Sequence, residues 1–111
     1  MNAKMSGSHA RIIAEAGLSH EGSLGFALRF IENAKLFGAD MVKFQIHFPE
    51  HESSAGELFR VPLTVQDQTR WEYWKRTSFS NKEWTTLVQY CREIGIEFCA
   101  SIFSLKALEI I

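Results

Sequence analysis

Met41-Val42-Lys43-Phe44-Gln45, read with Ile12-Ile13-Ala14-Glu15-Ala16-Gly17 upstream, is the stretch that decides the fold. Both runs are strand-like, yet each carries ionisable or amide side chains. A parallel strand covered by helices normally reads as an unbroken Val/Ile/Leu run. Leaving a polar group buried and unpaired costs about 1–3 kcal/mol, and a charge costs more. In α/β folds the C-terminal ends of parallel strands are where ligands bind. Glu15, Lys43 and Gln45 are therefore read as site residues. The two-residue period of a strand puts Lys43 and Gln45 on one face.

The flanking chain supports strands separated by helices. The first strand, at residues 11–16, runs into the polar turn Gly17-Leu18-Ser19-His20-Glu21-Gly22. Ser23 is a good N-cap for a helix. Phe26, Ala27, Phe30, Ile31, Ala34 and Phe37 form its apolar stripe, and Gly38 supplies the stop. The second strand follows at 41–45. Residues 46–68 lose periodicity: His47-Phe48-Pro49-Glu50-His51-Glu52-Ser53-Ser54-Ala55-Gly56 is polar, and Pro62 interrupts the next apolar patch. A loop of this length inside a compact domain is functional or disordered. A short helix at 69–76 carries Trp71, Tyr73 and Trp74. Ser80-Asn81-Lys82-Glu83 is a capping box, opening a helix with Trp84, Leu87, Val88, Cys91 and Ile94 on its inner face. Gly95 ends it, and 96–101 is the third strand. Segments 34–42 and 91–99 share one order: helix end, glycine, short turn, strand.

This alternation predicts an α/β fold with parallel strands. Three strands cannot close a barrel, which takes about 250 residues. A helix capped by Ser104 stops on Ile110-Ile111, so the chain reads as truncated within a domain.

Composition narrows the function classes. The 111 residues hold 12 basic and 13 acidic side chains, with 46% hydrophobic and 23% charged. That balance gives no support for a nucleic-acid partner. No apolar run approaches the roughly 18 residues of a membrane span, and Met1 to His9 lacks the apolar core of a secretory signal. Cys91 and Cys99 have no metal-type spacing and read as reduced, buried thiols of a cytoplasmic protein.

Three motifs in order carry a resemblance: Ile13-Ala14-Glu15-Ala16-Gly17, then His20-Glu21-Gly22-Ser23, then Gly38-Ala39-Asp40-Met41-Val42-Lys43-Phe44-Gln45. Glu93-Ile94-Gly95-Ile96-Glu97-Phe98 with Ser101-Ile102-Phe103-Ser104 extends it. Together they resemble the N-terminal part of the sialic acid synthase family, the N-acetylneuraminate, legionaminic acid and pseudaminic acid synthases. The resemblance implies a TIM (β/α)₈ barrel of which this chain holds the N-terminal portion, about three βα units, with 1–10 a flexible lead-in and 11–111 the barrel fragment. It implies a cytoplasmic transferase that condenses phosphoenolpyruvate with an N-acetylated aldose, giving a nine-carbon 2-keto sugar acid and phosphate. It further implies a divalent metal (Mn²⁺ or Mg²⁺) with no ligand in this segment, and a homodimer when full length. The segment alone is expected to be inactive.

Residue by residue, Glu15 matches the acid that contacts sugar hydroxyls; its alternative is a carboxylate paired with Lys43. Lys43 matches the lysine that binds phosphoenolpyruvate, and a compact ammonium suits that anion; its alternative is a snorkelling lysine. Gln45 suits a polyol or an amide, or else is a buried amide satisfied by backbone. Ser101 stands where the family has threonine before Pro-Phe, so the hydroxyl that can contact phosphate is kept, while Ile102 replaces the proline and alters the local backbone from the family's pattern. Ser19 replaces an asparagine before His20, and His20 is either a structural loop residue or a neighbour of the active site. Trp71, Tyr73 and Trp74 either cap the sugar pocket or pack a short helix. The rival functions are another phosphate-handling barrel, such as an aldolase or a different keto-acid synthase, and an inactive fragment acting only by association.

Overall fold

The computed structural model describes residues 9–110, so residues 1–8 of the expected flexible segment lie outside the described residues. Strands β1 (Ile13–Gly17), β2 (Met41–Ile46) and β3 (Glu97–Ile102) form one parallel sheet in the order β1-β2-β3. Helix α1 (Leu24–Leu36) connects the first two strands, and α2 (Arg70–Thr77) and α3 (Asn81–Ile94) lie between β2 and β3. A single 3₁₀ turn, Pro49–His51, precedes α2, and the short α4 (Leu105–Leu108) follows β3.

Local chemistry sets the boundaries. Ser23 caps α1 by accepting from Phe26 N, Thr69 caps α2 through Glu72 N, and the Ser80/Glu83 capping box opens α3. Each such cap is worth about 1 kcal/mol. The starts of two strands shift from the sequence reading, and each strand ends one residue later than read. Ile12 is taken up by Asp40, whose carboxylate accepts from Ile12 N at 2.8 Å, so β1 begins at Ile13. Ile96 N still bonds Cys91 O and closes α3, so β3 begins at Glu97.

Val42, Phe44 and Ile46 alternate inward from β2 and are fully buried or nearly so. Ala27, Ile31 and Ala34 of α1 and Trp84, Leu87 and Cys91 of α3 join them in one apolar cluster. Phe44 sits at its centre, edge-on to Trp84 at 6.0 Å and stacked on Phe98 at 5.8 Å. Fully burying such a side chain contributes about 1.5–3 kcal/mol. The stripe of α1 is narrower than its spacing predicts: Phe26 and Phe37 are 68% and 84% exposed. Small Ala27 and Ala34 draw that helix close to the sheet, leaving Phe26 and Phe37 beyond the contact. Cys91 is buried as expected, whereas Cys99 is only half-buried.

Candidate active site at the C-terminal strand ends

The odd-numbered residues of β2 point away from this core. Register pairs Glu15 with Lys43 across β1 and β2, and Lys43 with Cys99 and Gln45 with Ser101 across β2 and β3. Directly paired residues of neighbouring strands share a face. Glu15, Lys43, Gln45 and Ser101 thus lie on one side of the sheet, opposite Val42, Phe44 and Ile46.

Lys43 Nζ lies 3.3 Å from Glu15 Oε2, and the two side chains remain 34% and 47% exposed. The pairing alternative raised from sequence is therefore real, but the pair sits on the open polar face. Beyond Glu15 the ladder slips, and Gly17 pairs with Phe44. A side chain at Gly17 would meet Glu15 Oε1 at 3.3 Å and Gln45 Nε2 at 3.5 Å. Its absence leaves room for both polar groups, as bulges near active sites commonly do.

Gln45 is not satisfied by backbone. Its Oε1 lies 2.9 Å from His47 Nε2, and His47 Nδ1 lies 2.7 Å from Glu52 Oε1. Glu52 Oε2 also accepts from Phe48 N at 2.6 Å. The imidazole of His47 is held between Trp74 and Phe103, with centroids at 4.5 and 4.4 Å and planes within 8° and 6° of parallel. Sequence reasoning left His47 and Glu52 inside an aperiodic loop. Two-residue alternation past Gln45 was the available signal, since His47 continues the series Lys43, Gln45.

His20 is placed elsewhere. Its ring stacks on Phe79 at 4.4 Å and faces Phe44 at 6.0 Å, among residues of the helix-facing layer. Burial pushes its imidazole down to about 4. Its Nδ1 accepts from Gly22 N at 2.9 Å. Trp74 packs on His47, and Arg76 is committed to Asp67, with Nη2 at 2.6 Å from Oδ2. That guanidinium holds the Asp67 carboxyl below its usual value.

A cavity of about 210 Å³ opens beside Gln45, walled by Leu18, His47, Phe48, Trp74 and Lys75. Glu15 and Lys43 lie outside its wall, on the adjoining open face. A larger hollow of about 820 Å³ lies on the other layer, beside α3 and β3, lined by Trp84, Val88, Phe98 and Ile110. It holds none of the converging polar groups and is not the candidate site. Among the described residues no three His, Cys, Asp or Glu side chains assemble as a metal site. Among them, too, no helix is long and apolar enough to cross a membrane.

The NeuB family model matches residues 30–111. The chain belongs to the NeuB family. Similar members include the N-acetylneuraminate-9-phosphate synthase of Mus musculus, 38% identical over 101 residues, covering 88% of this chain and 28% of that protein. The N,N'-diacetyllegionaminic acid synthase of Campylobacter jejuni is 28% identical over 103 residues, covering 90% of this chain and 31% of that protein. The crystal structure of N-acetylneuraminic acid (sialic acid) synthetase from Leptospira borgpetersenii, in complex with citrate, superposes with a TM-score of 0.67 at 30% identity. That superposition covers 89% of this chain and 31% of the synthetase. The chain spans under a third of the length of these NeuB-family relatives, and its fold is the N-terminal portion of a TIM barrel, about three βα units.

Proposed function

We propose that the protein carrying this chain is a synthase that condenses phosphoenolpyruvate with an N-acetylated aldose. The observation that carries the reading is the convergence of Glu15, Lys43 and Gln45 on one open face at the strand ends. The reaction forms a bond between C3 of phosphoenolpyruvate and the aldehyde carbon. Water adds at C2, and phosphate leaves as the C2–O bond breaks, giving the nine-carbon 2-keto acid. Lys43 supplies positive charge for the anionic donor. Glu15 accepts from sugar hydroxyls, and Gln45 fixes the sugar so that the reacting carbons lie within attack distance. Ser101, beside Gln45 in the sheet, offers its hydroxyl to phosphate. His20 acts from behind this face, shaping the first loop through Gly22 rather than touching substrate.

The divalent ion, Mn²⁺ or Mg²⁺, belongs to the proposal for the whole protein and would supply a Lewis acid for the aldehyde oxygen. No step above depends on the ion. A homodimer in the cytoplasm completes the reading.

Phosphate release tests the proposal. Three carbons join the sugar at C1, so C6 of the acceptor becomes C9 of the product. N-acetylmannosamine, its 6-phosphate and a 2,4-diacetamido hexose are therefore offered separately with phosphoenolpyruvate. Release that requires both the donor and one of these acceptors is the expected result. Release without an amino sugar, or cleavage of the keto acid without phosphate, would instead support another phosphate-handling barrel.

A further inference from the structure

The polar groups that flank Gln45 form a chain which the reaction itself leaves unused. We propose that Glu52 and His47 are positioning residues that lock the Gln45 amide with its oxygen turned from substrate and its NH₂ turned toward it. This deepens the synthase reading and rests on it for the identity of the substrate.

Four observations carry the assignment. His47 joins Glu52 Oε1 at 2.7 Å and Gln45 Oε1 at 2.9 Å through its two ring nitrogens. The ring cannot swing away, because Trp74 and Phe103 clamp both faces at 4.5 and 4.4 Å. Glu52 is itself fixed by Phe48 N at 2.6 Å, and the His47 and Glu52 side chains are each only 5% exposed. Finally, one point beside Gly17 lies 3.3 Å from Glu15 Oε1 and 3.5 Å from Gln45 Nε2, so the amide nitrogen faces the open side.

A carboxylate only accepts, and an amide oxygen only accepts. In the observed geometry both ring nitrogens of His47 face acceptor oxygens, Glu52 Oε1 and Gln45 Oε1. Turning the Gln45 amide over would put its oxygen toward the Glu15 carboxylate, acceptor against acceptor, and would need His47 Nε2 to accept instead of donate. With its oxygen occupied by His47, Gln45 offers only donors to the ligand. The sugar group that meets Gln45 must then be an acceptor, such as an acetamido carbonyl or a hydroxyl lone pair. Glu15 on the opposite side accepts from a hydroxyl proton. The two residues thus read opposite hydrogen-bonding polarity in adjacent groups of the sugar.

The test uses the full protein labelled with ¹⁵N at histidine and glutamine. In the wild type, the Gln45 amide protons show a nuclear Overhauser contact to the Gly17 α protons. His47→Phe keeps the aromatic clamp and removes the relay; the contact disappears and the KM for N-acetylmannosamine rises about tenfold, the size of one lost hydrogen bond. The KM for phosphoenolpyruvate stays unchanged. Glu52→Gln, which keeps a neutral acceptor for the ring, shifts both readouts the same way and serves if His47→Phe does not fold. A Gln45 contact that is absent in the wild type, or that survives both substitutions, overturns the relay. A wild type that shows the contact but does not turn over an amino sugar sinks the synthase reading alone.

Discussion

Lys43 Nζ stands 3.3 Å from Glu15 Oε2 across the first two strands, with both groups in reach of solvent. A pair so exposed adds little to stability, about 0–1 kcal/mol. Lys43→Ala is therefore expected to leave the thermal midpoint of the full protein nearly unchanged. The same substitution removes a positive charge from the open face, so it raises the KM for phosphoenolpyruvate and lowers kcat. Steady-state kinetics with the donor varied decide the matter: near-normal constants refute a clamp role for Lys43.

That pair was legible in the sequence because strand periodicity is rigid. Once residues 41–45 read as a strand, Lys43 and Gln45 had to share a face, and Val42 and Phe44 had to oppose them. Helix caps at Ser23 and Ser80 were equally local and equally plain. His47 and Glu52 were obscured for a different reason. Alternation past Gln45 reaches His47, but the clamp of Trp74 and Phe103 on its ring comes from distant points of the chain, and Glu52 arrives through the turn at Phe48; no local period encodes either. The exposed Phe26 and Phe37 show the same limit, since helical spacing gives a stripe but not how much of it the sheet can cover.

His20 makes stability depend on pH. Buried, and with Nε2 unpartnered among the described residues, it is held down from 6.5 to about 4. Above about pH 6.5 the ring is neutral folded or unfolded and contributes no slope. Between 6.5 and about 4 the unfolded chain takes up a proton that the native ring refuses, so stability falls as pH falls. The full loss is about 3 kcal/mol at most, at roughly 1.4 kcal/mol per pH unit. Urea unfolding across pH 7.5 to 4.5 measures it, with His20→Asn as the comparison because its amide oxygen can still accept from Gly22 N. Equal pH slopes in both proteins remove His20 from the account.

Asp67 anchors the long loop to α2. Arg76 donates to Asp67 Oδ1 from Nε at 3.0 Å and to Oδ2 from Nη2 at 2.6 Å, while Thr64 Oγ1 donates to Oδ2 at 2.8 Å. The Asp67 side chain is buried and Arg76 is partly open. Asp67→Asn leaves the guanidinium only the more distant Glu21 carboxylate, 3.7 Å from Nη2, as counter-charge, at a cost of about 1–3 kcal/mol. The loss is local: amide hydrogen exchange quickens across residues 53–69, while β2 and α3 keep their protection. Uniform faster exchange over the whole chain contradicts an anchoring role.

Gly22 lies tight against the end of α2. A methyl group there would sit 2.6 Å from Arg76 O and 3.2 Å from Thr77 Cα, and the residue has φ of +81°. Backbone forms the obstacle, so no side-chain rotation relieves it, and the left-handed conformation adds its own penalty of about 1 kcal/mol for a residue with a Cβ. Gly22→Ala is expected to destabilise by at least about 2 kcal/mol. Gly56→Ala is the matched control, because open space surrounds that position, and its change should stay within about 0.5 kcal/mol. The displacement also reaches the site. Forcing the first loop away from the end of α2 moves Trp74, and with it the clamp on His47 beside Gln45. Gly22→Ala should therefore raise the KM for the acceptor sugar as well as lower the unfolding free energy, whereas Gly56→Ala changes neither. A Gly22→Ala protein as stable as the parent would show that the loop and helix do not meet at this distance in solution.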